Sequence, residues 1–238
     1  MVLPLYLAVT GAELSAVSES VHPMAYMACQ FSPYTQGLAN VPDSLPEGSM
    51  LILNDRMPCK GHSAGLVAQQ LLDVVERNKC ESLLLDFQRP PEPESEDMVR
   101  RVVQSLSCPV AVTEVFAKEL SCPVFLSPAP LHTRLSDHLA PWQGREIWLE
   151  AALEQADVTV TANGAEFANQ FPTDGLSDGI YDDSLCCCYR TKTAEDRITF
   201  TLFDTPESLI KKLDLAQSLG VSRAVGLWQE LGTFPTGK

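Results

Sequence analysis

Apolar residues along this chain gather into short runs rich in β-formers, separated by stretches that carry either a helical stripe or turn chemistry. Eight runs recur: Leu3 to Val9, Met24 to Phe31, Met50 to Leu53, Ser82 to Phe87, Val110 to Thr113, Val124 to Leu126, Glu146 to Leu149 and Ala224 to Trp228. Several are apolar on both faces, the pattern of parallel strands covered on each side rather than of a half-solvated antiparallel sheet. The clearest unit runs from Met50 to Phe87. There the strand MLILND leads through RMPCKGHS into the helix AGLVAQQLLDVVERNK, and then into SLLLDF. In the helix, Leu66, Val67, Leu71, Leu72, Val74 and Val75 make one stripe. A β-α-β crossover of this kind implies parallel pairing. ESEDMVRRVVQSLS repeats it, with acidic residues at the positive end of the helix, ahead of the strand PVAVT.

Between the seventh and eighth runs the pattern changes. ADVTVTANG, LCCCYRT and DRITFTLF are β-type segments joined by turns at Ala162 to Gly164 and Thr193 to Asp196. They predict a small antiparallel insertion over 156–204. DTPESLIKKLDLAQSLG then reads as a capped helix, with Asp204 or Thr205 as N-cap, Pro206 in the first turn and Gly220 at its end. Eight parallel-type strands with helices between them predict an α/β fold, a (β/α)8 TIM-type barrel, as one domain over 1–238. An open doubly wound sheet would carry a glycine-rich phosphate turn, and neither G-x-G-x-x-G nor G-x-x-x-x-G-K-[ST] occurs. Connectors such as VFAKELSC are too short for full helices, so a trimmed barrel is expected.

Charge and cysteines narrow the classes. With 17 Lys+Arg against 31 Asp+Glu, the net charge of -14 argues against nucleic acid or an anionic membrane as partner. No stretch approaches the ~20 apolar residues of a membrane span, and the N-terminal MVLPLYLAVTGAEL lacks a basic region before its apolar run. A soluble, cytoplasmic protein is expected. The eight cysteines (Cys29, Cys59, Cys80, Cys108, Cys122, Cys186, Cys187, Cys188) sit mostly beside or inside apolar runs and read as reduced core thiols. No pair has CxxC spacing, and His22, His62, His132 and His138 do not fall at zinc-ligand intervals around them. No metal and no cofactor are therefore expected. Neither a G-x-S-x-G elbow nor an H-E-x-x-H helix occurs.

Two stretches carry a resemblance. ESLLLDFQRP resembles the fourth barrel strand of glycoside hydrolase family 18, the chitinase-like enzymes, where the signature is D-G-x-D-x-D-x-E. FDTPESLIKKLDLAQSLGVSRAVGLW is similar to that family's aspartate turn, Ser, Lys-bearing helix and last strand ending in Trp, here Trp228. The alignment puts Asp86 at the last aspartate and Gln88 at the catalytic glutamate, while Glu81 and Leu84 replace the earlier aspartates. In the family the glutamate protonates the glycosidic oxygen, the aspartate orients the substrate's N-acetyl group, whose carbonyl is the nucleophile, and the tryptophan forms the floor under the sugar. An amide cannot give up and regain a proton at any accessible pH, so the resemblance implies that this mechanism is closed.

A sugar site survives that loss. Asp86 accepts hydroxyl hydrogens, Gln88 offers a donor and an acceptor, and Trp228 can stack on a pyranose. Asp86, Gln88 and Trp228 are thus the expected saccharide ligands. Catalytic groups collect at C-terminal strand ends, which makes Asp86, Glu114, Glu150 and Glu230 the carboxylates that could take over the chemistry as a pair across the mouth. Asp55 and Arg89 also end neighbouring strands, Lys118 is a weak Schiff-base candidate, and His132 follows the sixth strand. Three readings stand open: a barrel that binds a saccharide or glycan fragment without turnover, an active glycosidase with a relocated carboxylate pair, and an interaction scaffold. The scaffold reading expects an apolar patch near Cys186 to Phe203, buried in a homodimer.

Overall fold

The computed structural model describes residues 3–17, 20–170 and 178–234. Its strands are β1 (Leu5–Val9), β2 (Met24–Phe31), β3 (Leu38–Ala39), β4 (Met50–Asn54), β5 (Ser82–Asp86), β6 (Val110–Thr113), β7 (Val124–Leu126), β8 (Ile147–Ala151), β9 (Gln155–Thr161), β10 (Gly164–Gln170), β11 (Ile180–Asp182), β12 (Cys187–Thr193), β13 (Arg197–Phe203) and β14 (Val221–Leu227). Between them lie α1 (Leu14–Val17), α2 (Ala64–Asn78), α3 (Pro93–Ser105), α4 (Glu114–Ala117), α5 (Leu135–Leu139) and α6 (Pro206–Ser218), and α7 (Trp228–Leu231) follows β14.

Eight of the strands close a parallel barrel in the order β1-β2-β4-β5-β6-β7-β8-β14, with β14 returning to β1. These are the eight runs of the sequence. β3 adds a short antiparallel pairing to β2. The barrel is trimmed where the connectors are short: α4 spans only four residues. The full helices are capped, α6 at the residues expected. Ser63 accepts from Leu66 N at the start of α2, and Thr205 and Ser208 cap α6 reciprocally, with Pro206 in its first turn. Gly220 follows α6 at φ +95°, a conformation that costs glycine nothing.

Strand alternation divides the core in two. Tyr6, Ala8, Ala25, Met50, Ile52, Leu84, Ala111, Phe125, Trp148 and Val225 point inward and fill the lumen. Their neighbours, including Leu7, Leu51, Leu53, Leu83, Leu85 and Leu149, point outward and pack with Val67, Leu71, Met98, Val102 and Leu209 of the helices. β1 and β4 are buried at every position, which is why they show no polar alternation.

The lumen is closed at the N-terminal end of the strands. Trp148 donates from Nε1 to Glu146 Oε1 at 2.8 Å, and the Arg223 guanidinium lies 4.7 Å over its ring. Arg223 also pairs with Glu81 at 3.4 Å, and Glu81 accepts the Tyr6 hydroxyl. Any opening must therefore lie at the other end.

Between β8 and α6, strands β9 to β13 form a separate five-stranded antiparallel sheet in the order β10-β9-β13-β12-β11. Two of these, β10 and β11, go beyond the three segments predicted. β10 is exposed along its whole length and β11 has three residues, so neither imprints an apolar alternation on the sequence. The cysteine run also differs from expectation. Cys186 sits in a turn at φ +54°, and only Cys187 and Cys188 belong to β12. All eight cysteines are free thiols, six of them buried.

Candidate functional site

At the C-terminal end of the lumen lies a cavity of about 110 Å³. Three of the five polar wall residues stand one inward step beyond a lumen residue of the same strand. Asp86 follows Leu84 on β5, Glu150 follows Trp148 on β8, and Asn54 follows Ile52 on β4. Gln88 and Arg56 extend the wall from the next residues along β5 and β4, and Phe125, Val225 and Leu227 supply apolar wall.

The loop bearing Gln88 is fixed from three sides. Asp55 accepts the backbone N–H groups of Gln88 at 3.1 Å and Arg89 at 2.9 Å. Arg89 returns its Nε to the Asp55 carbonyl and its Nη2 to that of Arg56, each at 2.9 Å. So the two strand ends are tied through backbone groups rather than through a side-chain ion pair. Thr113 Oγ1 donates to Phe87 O at 2.6 Å, and the buried Phe87 ring meets Phe31 and Phe116 edge-on. With Phe87 turned outward, its neighbours turn to the mouth. Gln88 Nε2 donates to Asp86 Oδ1 at 2.6 Å, a hydrogen bond to a charged acceptor.

Asn54 is spent on the scaffold. Its Nδ2 donates to the Met27 and Cys29 carbonyls at 2.9 and 3.0 Å, where β2 slips register against β4, and its Oδ1 accepts from Arg56 N.

Both cavity carboxyls are raised above the ordinary range. Burial pushes Asp86 upward and nearby Asp55 adds to it, against the Gln88 hydrogen bond and the Arg56 charge, which pull it down. Burial, then Asp86, Glu154 and Glu230, push Glu150 up to about 7. No hydrogen bond to the Glu150 carboxyl occurs among the described residues. Behind Glu150, Glu154 and Glu230 are raised by burial as well. Asp204 holds Lys212 through both carboxylate oxygens at 2.8 Å, the one buried ion pair among the described residues.

Of the residues singled out in the sequence, Asp86, Gln88 and Glu150 meet in this cavity. Glu114 heads α4 in an exposed position and is not in the cavity wall. Glu230 lies on α7 and accepts from Leu153 N. Trp228 is the first residue of α7 rather than the last of the strand. It is half-buried against the Val9 and Met24 cluster and does not line the cavity. His132 leaves the rim for the inserted sheet, its ring 4.3 Å from that of Phe167. Together they border a second, apolar groove of about 410 Å³ with Val158, Tyr189 and Phe200. Lys118 lies beyond α4, outside the central cavity. Sequence reading missed Asn54 and Arg56; the signal for Asn54 was its two-residue spacing from an inward Ile52.

The closed barrel, its inserted sheet and the mouth on β5 can be set beside known structures. The fold is that of the glycoside hydrolase family 18 chitinases. A class V chitinase of Nicotiana tobaccum, solved as a glutamate-to-glutamine mutant in complex with NAG4, aligns with a TM-score of 0.60 at 10% identity over 94% of this chain and 93% of that one. A family 18 chitinase of Cycas revoluta, a double mutant in complex with (GlcNAc)4, gives 0.58 at 10% identity over 93% and 94%. The Bacillus cereus spore cortex-lytic enzyme SleL gives 0.57 at 11% identity over 98% of this chain and 71% of that one. No family model matches the sequence, and no curated protein matches it. At these identities the likeness is one of fold. Among the described residues no helix is long and apolar enough to cross a membrane, and no group of three or more His, Cys, Asp or Glu side chains could hold a metal ion.

Proposed function

We propose that this protein binds a saccharide at the C-terminal face of its barrel, with Asp86, Gln88 and Glu150 as its polar contacts, and that position 88 supplies no proton. The observation that carries this reading is the 2.6 Å hydrogen bond from Gln88 Nε2 to Asp86 Oδ1 in the cavity wall. It leaves the second Asp86 oxygen and the Gln88 carbonyl to hydroxyl or amide groups of a ligand, while the amide has no proton to deliver to a glycosidic oxygen. Phe125, Val225 and Leu227 offer apolar wall against the C–H faces of a pyranose. The complexes of the tobacco and cycad chitinases with NAG4 and (GlcNAc)4 support a saccharide as ligand. Trp228, packed against Val9 and Met24, is left to hold the barrel end together.

Isothermal titration with (GlcNAc)4 tests the reading. Binding by the wild type is expected, weakened about 10- to 100-fold in Asp86→Ala, since losing a hydrogen bond to a charged group costs about 1.5–3 kcal/mol. Absence of heat at millimolar oligosaccharide would refute it.

A further inference from the structure

We propose that Asp86 and Glu150 act across this cavity as base and acid in an inverting hydrolysis of the bound saccharide, Glu150 protonating the glycosidic oxygen and Asp86 deprotonating the attacking water. This rests on the saccharide reading above and adds the chemistry that Gln88 cannot perform. Both side chains stand at inward positions, on β5 and β8, three strands apart around an eight-stranded ring. Carboxyls on strands that are not neighbours stand on either side of whatever occupies the cavity between them, so one can serve the glycosidic oxygen while the other works through a water on the opposite face of the sugar, as inversion requires.

The surroundings of the two groups decide their roles. Burial raises Asp86, but the Gln88 Nε2 hydrogen bond and the Arg56 charge from the end of β4 pull it back toward its charged form. Burial favours the protonated form of Glu150, and the charges of Asp86 on β5, Glu154 after β8 and Glu230 on α7 add to it. Two carboxyls whose environments differ in this way divide acid and base work between them. Gln88 then has a use as an amide: it is a positioning residue that keeps the neighbouring base ionised.

The step balances. The Glu150 O–H proton passes to the glycosidic oxygen as the C1–O bond breaks and its electron pair stays with the leaving oxygen. Water forms the new C1–O bond from the opposite face and gives its proton to the Asp86 carboxylate. Solvent then carries a proton from Asp86 back to Glu150.

The test compares wild type, Glu150→Gln and Asp86→Ala on (GlcNAc)4, with binding followed by calorimetry, products by chromatography and the first-formed anomer by NMR. Wild type should release shorter oligosaccharides of α configuration. Glu150→Gln should lose about 100-fold or more in kcat while still binding (GlcNAc)4, which also shows that the variant is folded. On 2,4-dinitrophenyl N-acetyl-β-glucosaminide, whose leaving group needs no proton, the same variant should lose less than about 10-fold. The fall of wild-type kcat above neutral pH should vanish in Glu150→Gln on that activated substrate. Binding without cleavage by wild type, a β first product, or cleavage of (GlcNAc)4 by Glu150→Gln at the wild-type rate would each overturn the proposal and leave saccharide binding standing. Absence of binding as well would overturn both.

Discussion

Replacing Lys212 by methionine should be among the most damaging changes of a single polar residue in this chain. Its ammonium contacts both Asp204 oxygens at 2.8 Å, with the Asp204 side chain 0% and the Lys212 side chain 8% exposed. Methionine keeps most of the volume, so the perturbation is electrical. Asp204 would be left with Ser208 Oγ at 3.3 Å and the Glu154 N–H at 3.4 Å, two long hydrogen bonds for a buried anion. Lys212 also draws down Glu154, so its loss is felt by two carboxyls. Removing one partner of a buried pair costs about 3–5 kcal/mol. With a urea m-value of about 2–3 kcal/mol/M for a domain of this size, the midpoint should fall by roughly 1–2 M. The double variant Asp204→Asn/Lys212→Met strands no charge and should recover about half of the loss. The pH dependence has a definite sign. Burial already raises Asp204 above its ordinary value against the pull of Lys212, and without that pull it rises further. A carboxyl whose folded pKa exceeds its unfolded one binds more protons when folded, so stability falls as pH rises between the two values. The Lys212→Met deficit should therefore be smaller at pH 5 than at pH 8. A cost below about 1 kcal/mol at pH 7.5, or a double variant no better than the single, would refute this account of the ion pair.

Other perturbations test the barrel and its mouth. Glu150 is raised from 4.5 to about 7, so the same sign applies: wild-type stability should fall as pH rises from 4.5 to 7, by on the order of 3 kcal/mol from this group. Glu150→Gln should flatten the urea midpoint against pH without abolishing the slope, since Asp86, Glu154, Asp204 and Glu230 are raised too. Gly226→Ala would set a methyl 2.6 Å from the Ala151 carbonyl and against Leu231, and should cost about 1–3 kcal/mol in thermal or urea unfolding; a neutral effect would mean β14 yields more easily than its packing implies. Trp148→Ala empties the largest fully buried side chain of the lumen and should cost about 3–5 kcal/mol, read as a drop in the urea midpoint.

The run pattern determined the barrel because a strand covered on both faces is apolar along most of its length, and that demand is local. Eight apolar runs, several of them of this kind, with β-α-β spacing around Met50 to Phe87, left a closed parallel sheet as the consistent arrangement. Helix signals were local as well: the apolar stripe of α2, the acidic start of α3 and the caps of α6 placed all three within a few residues. The inserted sheet was only partly readable. β10 and β11 owe their pairing to neighbours rather than to apolar residues of their own.

For the mouth, the sequence determined which strand ends carry chemistry, and tertiary structure decided which of them meet. Asp86, Glu114, Glu150 and Glu230 are alike as carboxylates near strand ends. What separates them is whether a side chain continues the inward row of its strand and how the next turn begins. Asp86 and Glu150 continue such rows, whereas Glu114 and Trp228 each open a helix that turns away from the lumen. Ionisation is settled further still from the chain: burial pushes Glu150 up to about 7, charges from β5, α7 and the segment after β8 add to it, and no stretch of sequence records that encounter.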